Sequence, residues 1–464
     1  MTLEKVIVVG AGPSGLLLTL LLSKASIPVE LIEQTEALDT NPRASHYSPE
    51  SCYEFDRAGI LDEVRVAGFI PDGVSWRKLE GENKSRLIKI TNPLLKRGED
   101  PNLAPYRHRM VCLPLHKLGK ILETHVKSQQ TAGIKYGWKV VDIGEDTEKG
   151  KAWVKVEKAD GSTEMREADY VVGCDGANSI IRRKLFGDWV YPGYTWDKQI
   201  VATNIYYDGF KDVDFDDSQF FVHPEHWHMV ARIQPDGLYR VTYGEIGGLT
   251  YDQLRERQPA KFQEILPGNP APDRYELVNF SPYKVHQRCV DKMRVGRFLL
   301  AADAAHLCNP FGGMGLTGGI ADVGSLYDSL RGIHNKQADD SILDKYDEVR
   351  RQIWHDVINP ISTENMQRLF QYANADEFVE KNPFYKMIKE MQNPDKKLEK
   401  CGPPNATGLA TIDIRHDTTL RQVTLIILFC ELLELALQCL GNTHKDPFPE
   451  CNAFSRTEGN FSHW

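Results

Sequence analysis

Residues 5–33 constrain the fold of this chain more than any other stretch. Lys5-Val-Ile-Val-Val9 is a continuous apolar run of the kind a parallel sheet buries on both faces. It stops at Gly10-Ala-Gly-Pro-Ser-Gly15, a helical segment follows over roughly 13–25, and a second strand, Val29-Glu-Leu-Ile-Glu33, ends in a carboxylate. Strand, glycine turn, helix, strand and acid in this order make a complete βαβ opening for a dinucleotide. Gly10 permits the tight turn, Gly12 lets backbone approach a pyrophosphate, and Gly15 lets helix and strand pack closely. The helix N-terminus offers free N–H groups to phosphates, and Glu33 can accept from ribose hydroxyls. The three glycines alone would be weak evidence; the correctly placed strands and acid give them weight.

Composition narrows the rest. The 464 residues suffice for two or three domains with sizeable cores, and 41% hydrophobic with 26% charged residues is an ordinary globular balance. A net charge of −9 suggests no basic surface for nucleic acid or an anionic membrane. The nine cysteines are scattered, with no C-x-x-C and no Cys/His cluster at zinc spacing. No metal site is expected, and reduced thiols in a cytoplasmic setting fit better than a secreted disulfide framework. Two apolar runs could mislead. Residues 6–22 are broken by three glycines and a proline, and Glu4 spoils a signal peptide's positive start. Residues 423–440, VTLIILFCELLELALQCL, are long enough for one membrane span, but Glu431 and Glu434 near their middle favour a buried or interface helix.

Further along, Asn41-Pro-Arg-Ala-Ser-His-Tyr-Ser-Pro-Glu50 leads into a helix with Ser48 as N-cap and Pro49 in its first turn. Arg43 stands in the polar loop before it, where a guanidinium either reaches phosphate or flavin or is simply solvated. A strand over 168–174 runs into Asp175-Gly176, and a helix is expected to start near Asn178. Another apolar strand, Arg297-Phe-Leu-Leu-Ala-Ala-Asp303, also ends in a carboxylate, which could accept hydrogen bonds from a polyol such as a ribityl chain.

GAGPSG, then DYVVGCDGANSIIRR, then LLAADAAHLCNPFGGMGLTGGIAD, in this order and spacing, resemble the class A single-component FAD-dependent monooxygenases of the p-hydroxybenzoate hydroxylase type. The wording is closest to fungal members, and the motifs anchor roughly residues 1–350. The resemblance implies FAD as the tightly bound cofactor, with Gly10, Gly12, Gly15 and Glu33 on its ADP half and Asp303 on the ribityl chain. It implies that Asp175-Gly176 stands near both flavin and nicotinamide nucleotide, and that Arg43 passes beside the flavin. His46 reaches the ring or substrate, or lies on the surface. A second G-x-G-x-x-G, formed by Gly313, Gly315 and Gly318, follows Asp303 but is not the turn of a βαβ unit, since no strand and ribose-binding acid come after it. In related enzymes this loop, with Pro310 and Leu316, and the helix start behind it lie against the isoalloxazine. A helix start suits a ring that becomes anionic on reduction. The sequence departs from the family in Ala302 where Gly is usual, Thr317 where Asn is common, and Leu115 where Arg or Gln often stands.

Between the flavin motifs lies a β-rich insertion whose clearest hairpin spans residues 226–243, with Pro235-Asp236-Gly237 as its turn. Pairing Ile233 with Leu238 puts His228, Val230, Arg232, Tyr239, Val241 and Tyr243 on one face. Trp227, Met229, Ala231, Arg240 and Thr242 take the other. By resemblance such a sheet roofs the active site. His228, Arg232, Tyr239 and Tyr243 then either bind and help deprotonate a phenol or belong to a solvent-facing surface. His223 and His226 read as turn residues.

The expected fold class is therefore α/β. A Rossmann-like FAD-binding domain (1–75, 106–185 and 286–345) carries a substrate domain (76–105 and 186–285) and a helical C-terminal region (346–464). Residues 401–408 read as a linker, and the 423–440 helix either caps the site or pairs two subunits of a homodimer. The resemblance implies hydroxylation of a small phenolic molecule of secondary metabolism with NAD(P)H and O2, through a flavin C4a-hydroperoxide. The same cofactor chemistry would also serve Baeyer–Villiger oxidation, epoxidation or oxidative decarboxylation of a polyketide or terpenoid. A non-catalytic flavin-binding protein is the remaining alternative. The W-x-W-x-I-P signature of flavin halogenases is missing, as is the redox cysteine pair of disulfide reductases.

Overall fold

The structure is a computed structural model describing residues 2–39, 43–71, 73–80, 86–91 (backbone only), 108–383 and 385–386. The expected linker at 401–408 and the helix at 423–440 lie outside these residues.

The opening strand Val6–Val9 is buried throughout, as its unbroken apolar run requires. It lies between Val29–Ile32 and Tyr170–Gly173, parallel to both. Ala132–Lys135 and Phe298–Leu300 extend this sheet in parallel on either side, and Arg294–Val295 closes one edge antiparallel. The first helix, Pro13–Lys24, has proline at its start and buries every residue from Ser14 to Ser23. It packs against the helix Leu115–Lys127 and a long helix, Met314–His334. A three-stranded antiparallel meander, Trp138–Asp146, Lys151–Lys158 and Thr163–Ala168, leads the chain back into the parallel sheet.

The second layer is an eight-stranded sheet built mainly from Gly193–Tyr206, Ser218–Phe221, His228–Arg232, Leu238–Ile246 and Glu276–Cys289. Val74–Lys78 joins it from the first third of the chain, parallel to Ser218–Phe221. The expected hairpin register holds: His228 faces Tyr243, Ala231 faces Arg240, and Ile233 N–H donates to the Leu238 carbonyl at 2.9 Å. Gly237 takes the turn with φ +92°. A helix, Tyr251–Ile265, started by a Thr250/Gln253 capping box, covers one face of this sheet and builds a core of its own with Phe221, Val241, Tyr243 and Phe262. Beyond the long helix, Ile342–Ile353 and Asn359–Phe370 close the molecule against both layers. Among the described residues no helix is long and apolar enough to cross a membrane.

Candidate active site

One cavity of about 1570 Å³ runs from the glycine turn at residues 10–14 to the uncovered face of the eight-stranded sheet. Pockets built for one small ligand hold roughly 300–1,000 Å³, so this space suits a large cofactor with a second molecule beside it.

At the glycine turn, the three glycines do three different jobs. Gly10 has φ +104°, and a Cβ there would stand 2.5 Å from the Cys174 carbonyl oxygen. A Cβ on Gly15 would come within 2.0 Å of the Gly10 carbonyl; Gly15 therefore packs beneath the turn and does not line the cavity. Gly12, the N-cap of the first helix, has nothing within 4 Å of where a Cβ would be, so the cradle is open there. Glu33 lies beside it. Its carboxylate accepts from the Ala11 N–H at 2.7 Å and from the Thr35 N–H and hydroxyl, each at 2.9 Å. The acid thus holds the turn's shape as well as facing the cavity.

Asp175 is on the cavity wall as expected, but its carboxylate is turned inward. It accepts from the Ser179 hydroxyl at 2.6 Å and the Ile180 N–H at 2.7 Å, so it fixes the start of the helix Ile180–Phe186. Asp303 behaves differently. Among the described residues its carboxylate has no hydrogen-bond partner, it lines the cavity, and burial pushes its pKa up against the opposing pull of His306 and Arg43. Ala302 before it sits in the left-handed region at φ +57°, its N–H donating to Asp322 at 2.9 Å. Burial works against the Asp322 charge, yet His306 (2.7 Å) and Arg350 (2.6 Å) hold that carboxyl down at about 2.

Pro310, Gly313, Gly315 and Leu316 line the middle of the cavity. Gly313 caps the long helix from the left-handed region, φ +64°, and no side chain caps it. The free N–H groups of a 21-residue helix therefore open next to the cavity, a setting that favours negative charge. Thr317 donates to the Ser48 hydroxyl at 3.2 Å, tying this helix to Pro49–Arg57. Leu115 lines the cavity with an apolar side chain. Arg43 also lines it, paired with Asp39 at 2.9 Å.

The residues fit FAD. An open glycine cradle, two helix starts with no side-chain cap and a carboxylate that no described residue hydrogen-bonds are what a pyrophosphate, a flavin ring and a ribityl chain need.

The roof overturns one expectation. His228, Arg232, Tyr239 and Tyr243 share a face, but it is the face turned away from the cavity, covered by Tyr251–Ile265 and the 207–215 segment. His228 stacks on Phe221 at 4.0 Å, its ring 2.7 Å from the His226 carbonyl, and burial drives its pKa down to about 3. Arg232 pairs with Asp217 at 2.7 Å and lies over Phe69. Tyr239 packs on Phe210, and the Tyr243 hydroxyl is buried without a partner. None of the four lines the cavity: His228 and Tyr243 are buried, and Arg232 and Tyr239 are half-buried on the opposite face. His223 is a turn residue as expected, accepting the Glu225 and His226 N–H groups on Nδ1.

The cavity face instead presents Met229, Ala231, Arg240 and Thr242, with Ala202 and Ser218 beside them. Trp76 and Phe220, stacked 5.8 Å apart, give it an aromatic wall. Tyr283 and, from Asn359–Phe370, Asn365 and Leu369 complete it. His46 does reach the site, carried by a short ribbon in which it pairs with Cys112. Its Nδ1 lies 3.1 Å from the Ser45 hydroxyl, while its buried Nε2 has no hydrogen-bond partner among the described residues. Burial, with Arg240 alongside, lowers its pKa to about 4. Arg240 and Tyr283 are the residues the sequence reading passed over. The available signal was that Arg240 is the one charged residue on the other face of the hairpin, beside the small Ala231 and Thr242.

The comparisons agree with this geometry. The family model described as "FAD binding domain" matches residues 4–360. Para-nitrophenol 4-monooxygenase of Pseudomonas sp. (strain WBC-3) is 34% identical over 365 residues, 78% of this chain and 87% of that protein. 6-Hydroxy-3-succinoylpyridine 3-monooxygenase of Pseudomonas putida (strain DSM 28022 / S16) is 34% identical over 368 residues, covering 79% and 89%. The crystal structure of p-nitrophenol 4-monooxygenase from Pseudomonas putida DLL-E4 superposes with a TM-score of 0.75 at 30% identity, covering 84% of this chain and 96% of that one. These relatives are bacterial, so the expected nearness to fungal members draws no support from them. The chain belongs to the FAD binding domain family and is a flavin-dependent monooxygenase.

Proposed function

We propose that this enzyme uses NAD(P)H and O2 to hydroxylate a small phenolic molecule held between the long helix's N-terminus and the roof sheet. The observation that carries this reading is the single continuous cavity, which joins a dinucleotide cradle to an aromatic-walled chamber. Bound FAD, reduced by NAD(P)H, would supply the activation of O2, one atom of which goes to the ring while the other leaves as water.

The protein's own residues do the rest. Gly12 and the first helix hold the pyrophosphate, Glu33 a ribose, and Asp303 the ribityl hydroxyls. The start of Met314–His334 would favour negative charge on a flavin ring held there, and Pro310 and the glycines around it add no bulky side chains to that wall. Small side chains at Ala202, Ala231 and Ser218 leave room for an aromatic substrate, and Trp76 and Phe220 shield it from water. His46, neutral at working pH, offers its unpartnered Nε2 to a phenolic hydroxyl. The buried thiols, with Cys52 and Cys112 each pushed up to about 12 by burial, suit a reducing, cytoplasmic setting. Pairing of two subunits rests only on residues 423–440.

Anaerobic mixing with NADPH and then NADH, following flavin absorbance with and without a panel of phenols, tests this function. Bleaching accelerated by one phenol is the expected result. A yellow protein that neither nucleotide bleaches would overturn it.

A further inference from the structure

Two positions at which a polar flavin contact is expected do not supply one. Thr317 stands where Asn is common, yet its hydroxyl donates to Ser48 at 3.2 Å and the residue does not line the cavity. Leu115, where Arg or Gln often stands, meets the cavity with an apolar side chain. A side-chain amide reaches the same space from another element. Ile361, Asn365, Arg368 and Leu369 form one stripe of the helix Asn359–Phe370, and all four line the cavity. Asn365 lies beyond residues 4–360, the stretch that matches the FAD binding domain.

The amide has a single orientation. Arg368, buried and paired with Glu364 at 3.2 Å, donates from Nη1 to the Asn365 side-chain carbonyl at 2.7 Å. A guanidinium carries donors only, so it must face the amide oxygen, and the Nδ2 hydrogens point elsewhere. Nδ2 stands over Gly312, where a Cβ would come within 2.6 Å of it. Gly312 also has φ +110°, so backbone and amide both exclude a side chain at that place. Among the described residues no acceptor takes the Nδ2 hydrogens.

Gly312 and Gly313 lead into the helix Met314–His334, whose first N–H groups have no partner within the helix. Asn365 therefore adds a side-chain donor to a wall that already consists of donors, whereas Asp303 brings an acceptor to the same cavity. Those two chemistries match the two ends of a riboflavin unit. Its ribityl chain is rich in hydroxyl donors, while the pyrimidine edge of its ring offers N1, N5 and two carbonyls against one N–H.

We propose that Asn365 tunes the flavin: it donates to an acceptor on the pyrimidine edge of the bound ring, doing what the side chain at 317 does not, and so makes the flavin easier to reduce. This rests on the reading of the wall from Pro310 to Leu316 as the one that meets the ring. Two-electron reduction leaves negative charge over N1 and the C2 carbonyl. A fixed donor at that edge stabilises the reduced form more than the oxidised one. Arg368 and Glu364 keep the donor aimed, so little reorganisation accompanies reduction.

The test is the midpoint potential of the FAD-loaded full chain, measured against a reference dye with no substrate present. Wild type is compared with Asn365→Ala, which removes the amide, and Asn365→Asp, which keeps its shape and its contact with Arg368 but has no N–H to donate. Asn365→Ala is expected to shift the reduced-to-oxidised ratio about tenfold toward oxidised, about 30 mV for a two-electron couple, and Asn365→Asp at least as far. The visible absorption band of the oxidised flavin should move in both. Unchanged potentials would overturn the proposal whatever happens to stability, a readout that a merely structural residue would not move. So would unchanged potentials with weaker binding of 4-nitrophenol as the substrate probe, which would make the substrate the acceptor. If Asn365→Ala releases FAD, Asn365→Asp carries the comparison. Bleaching of the wild type by NAD(P)H is a separate readout, so the monooxygenase reading and this proposal can fail independently.

Discussion

Arg232 and Arg240 sit on neighbouring strands of one hairpin, a single register step apart, and could hardly be placed more differently. Arg232 points to the face away from the cavity, half-buried, ion-paired with Asp217 and resting on Phe69. Arg240 points to the cavity, and among the described residues its hydrogen-bond partners are neutral. The first arrangement is complete within the protein; the second is not. A sheet buried on both sides, by a helix on one and by a ligand chamber on the other, separates structural charge from functional charge by nothing more than the pleat. The same division runs through the histidines, since His228 lies in the helix-covered core while His46 reaches the chamber.

Swapping the charge on either face should therefore give opposite results. Arg232→Gln removes the half-buried ion pair with Asp217 and is expected to lower stability by about 1 kcal/mol, with substrate affinity unchanged. Arg240→Gln removes a cation that no carboxylate among the described residues pairs with, so apo stability should hold or rise by about 1 kcal/mol while ligand affinity falls. Urea midpoints alongside probe titrations check both; equal destabilisation by the two variants would break the comparison.

Acid sensitivity gives a second contrast. His228 and His46 titrate at about 3 and about 4 when folded, against 6.5 in the unfolded chain. The unfolded state takes up protons first as pH falls, so both contribute stability that is lost below about pH 6.5, roughly 2 kcal/mol each at pH 5. His228→Phe, which keeps a ring stacked on Phe221, should remove one such contribution from the difference between urea midpoints at pH 7 and pH 5. Ligand binding at His46 should reduce the other. A pH dependence untouched by His228→Phe would mean that this histidine does not stay neutral. The smallest effect concerns the turn that presents Asp303. Ala302 holds φ +57°, so Ala302→Gly should raise thermal stability by about 1 kcal/mol without altering probe affinity.

Much of this was legible in the sequence. The opening strand, glycine turn, helix and Glu33 could be placed because each residue type there has one dominant backbone reason. The hairpin register followed from a turn whose Pro-Asp-Gly leaves little choice, and the helix start at Ser48 from its capping residue. What alternation could not say was which face meets the cavity. His228, Arg232, Tyr239 and Tyr243 look like a catalytic set because they are polar or aromatic and aligned. They are instead satisfied or sealed by Phe221, Asp217, Phe210 and Phe262, from three other segments of chain. Asp175 was found at the expected strand end, yet the hydroxyl and N–H groups four and five residues later claim its carboxylate. Those contacts depend on how the chain turns after Gly176, which composition does not reveal.

The ionisation state of the bound ligand tests the central claim most directly. 4-Nitrophenol absorbs differently as phenol and as phenolate, so a difference spectrum recorded about one pH unit below its own pKa identifies which form the FAD-loaded protein holds. Bound phenolate in the wild type, replaced by neutral phenol or by no binding in Arg240→Gln, is the expected result. Neutral phenol bound equally well by both proteins would contradict the division of the hairpin into a structural face and a ligand-facing one.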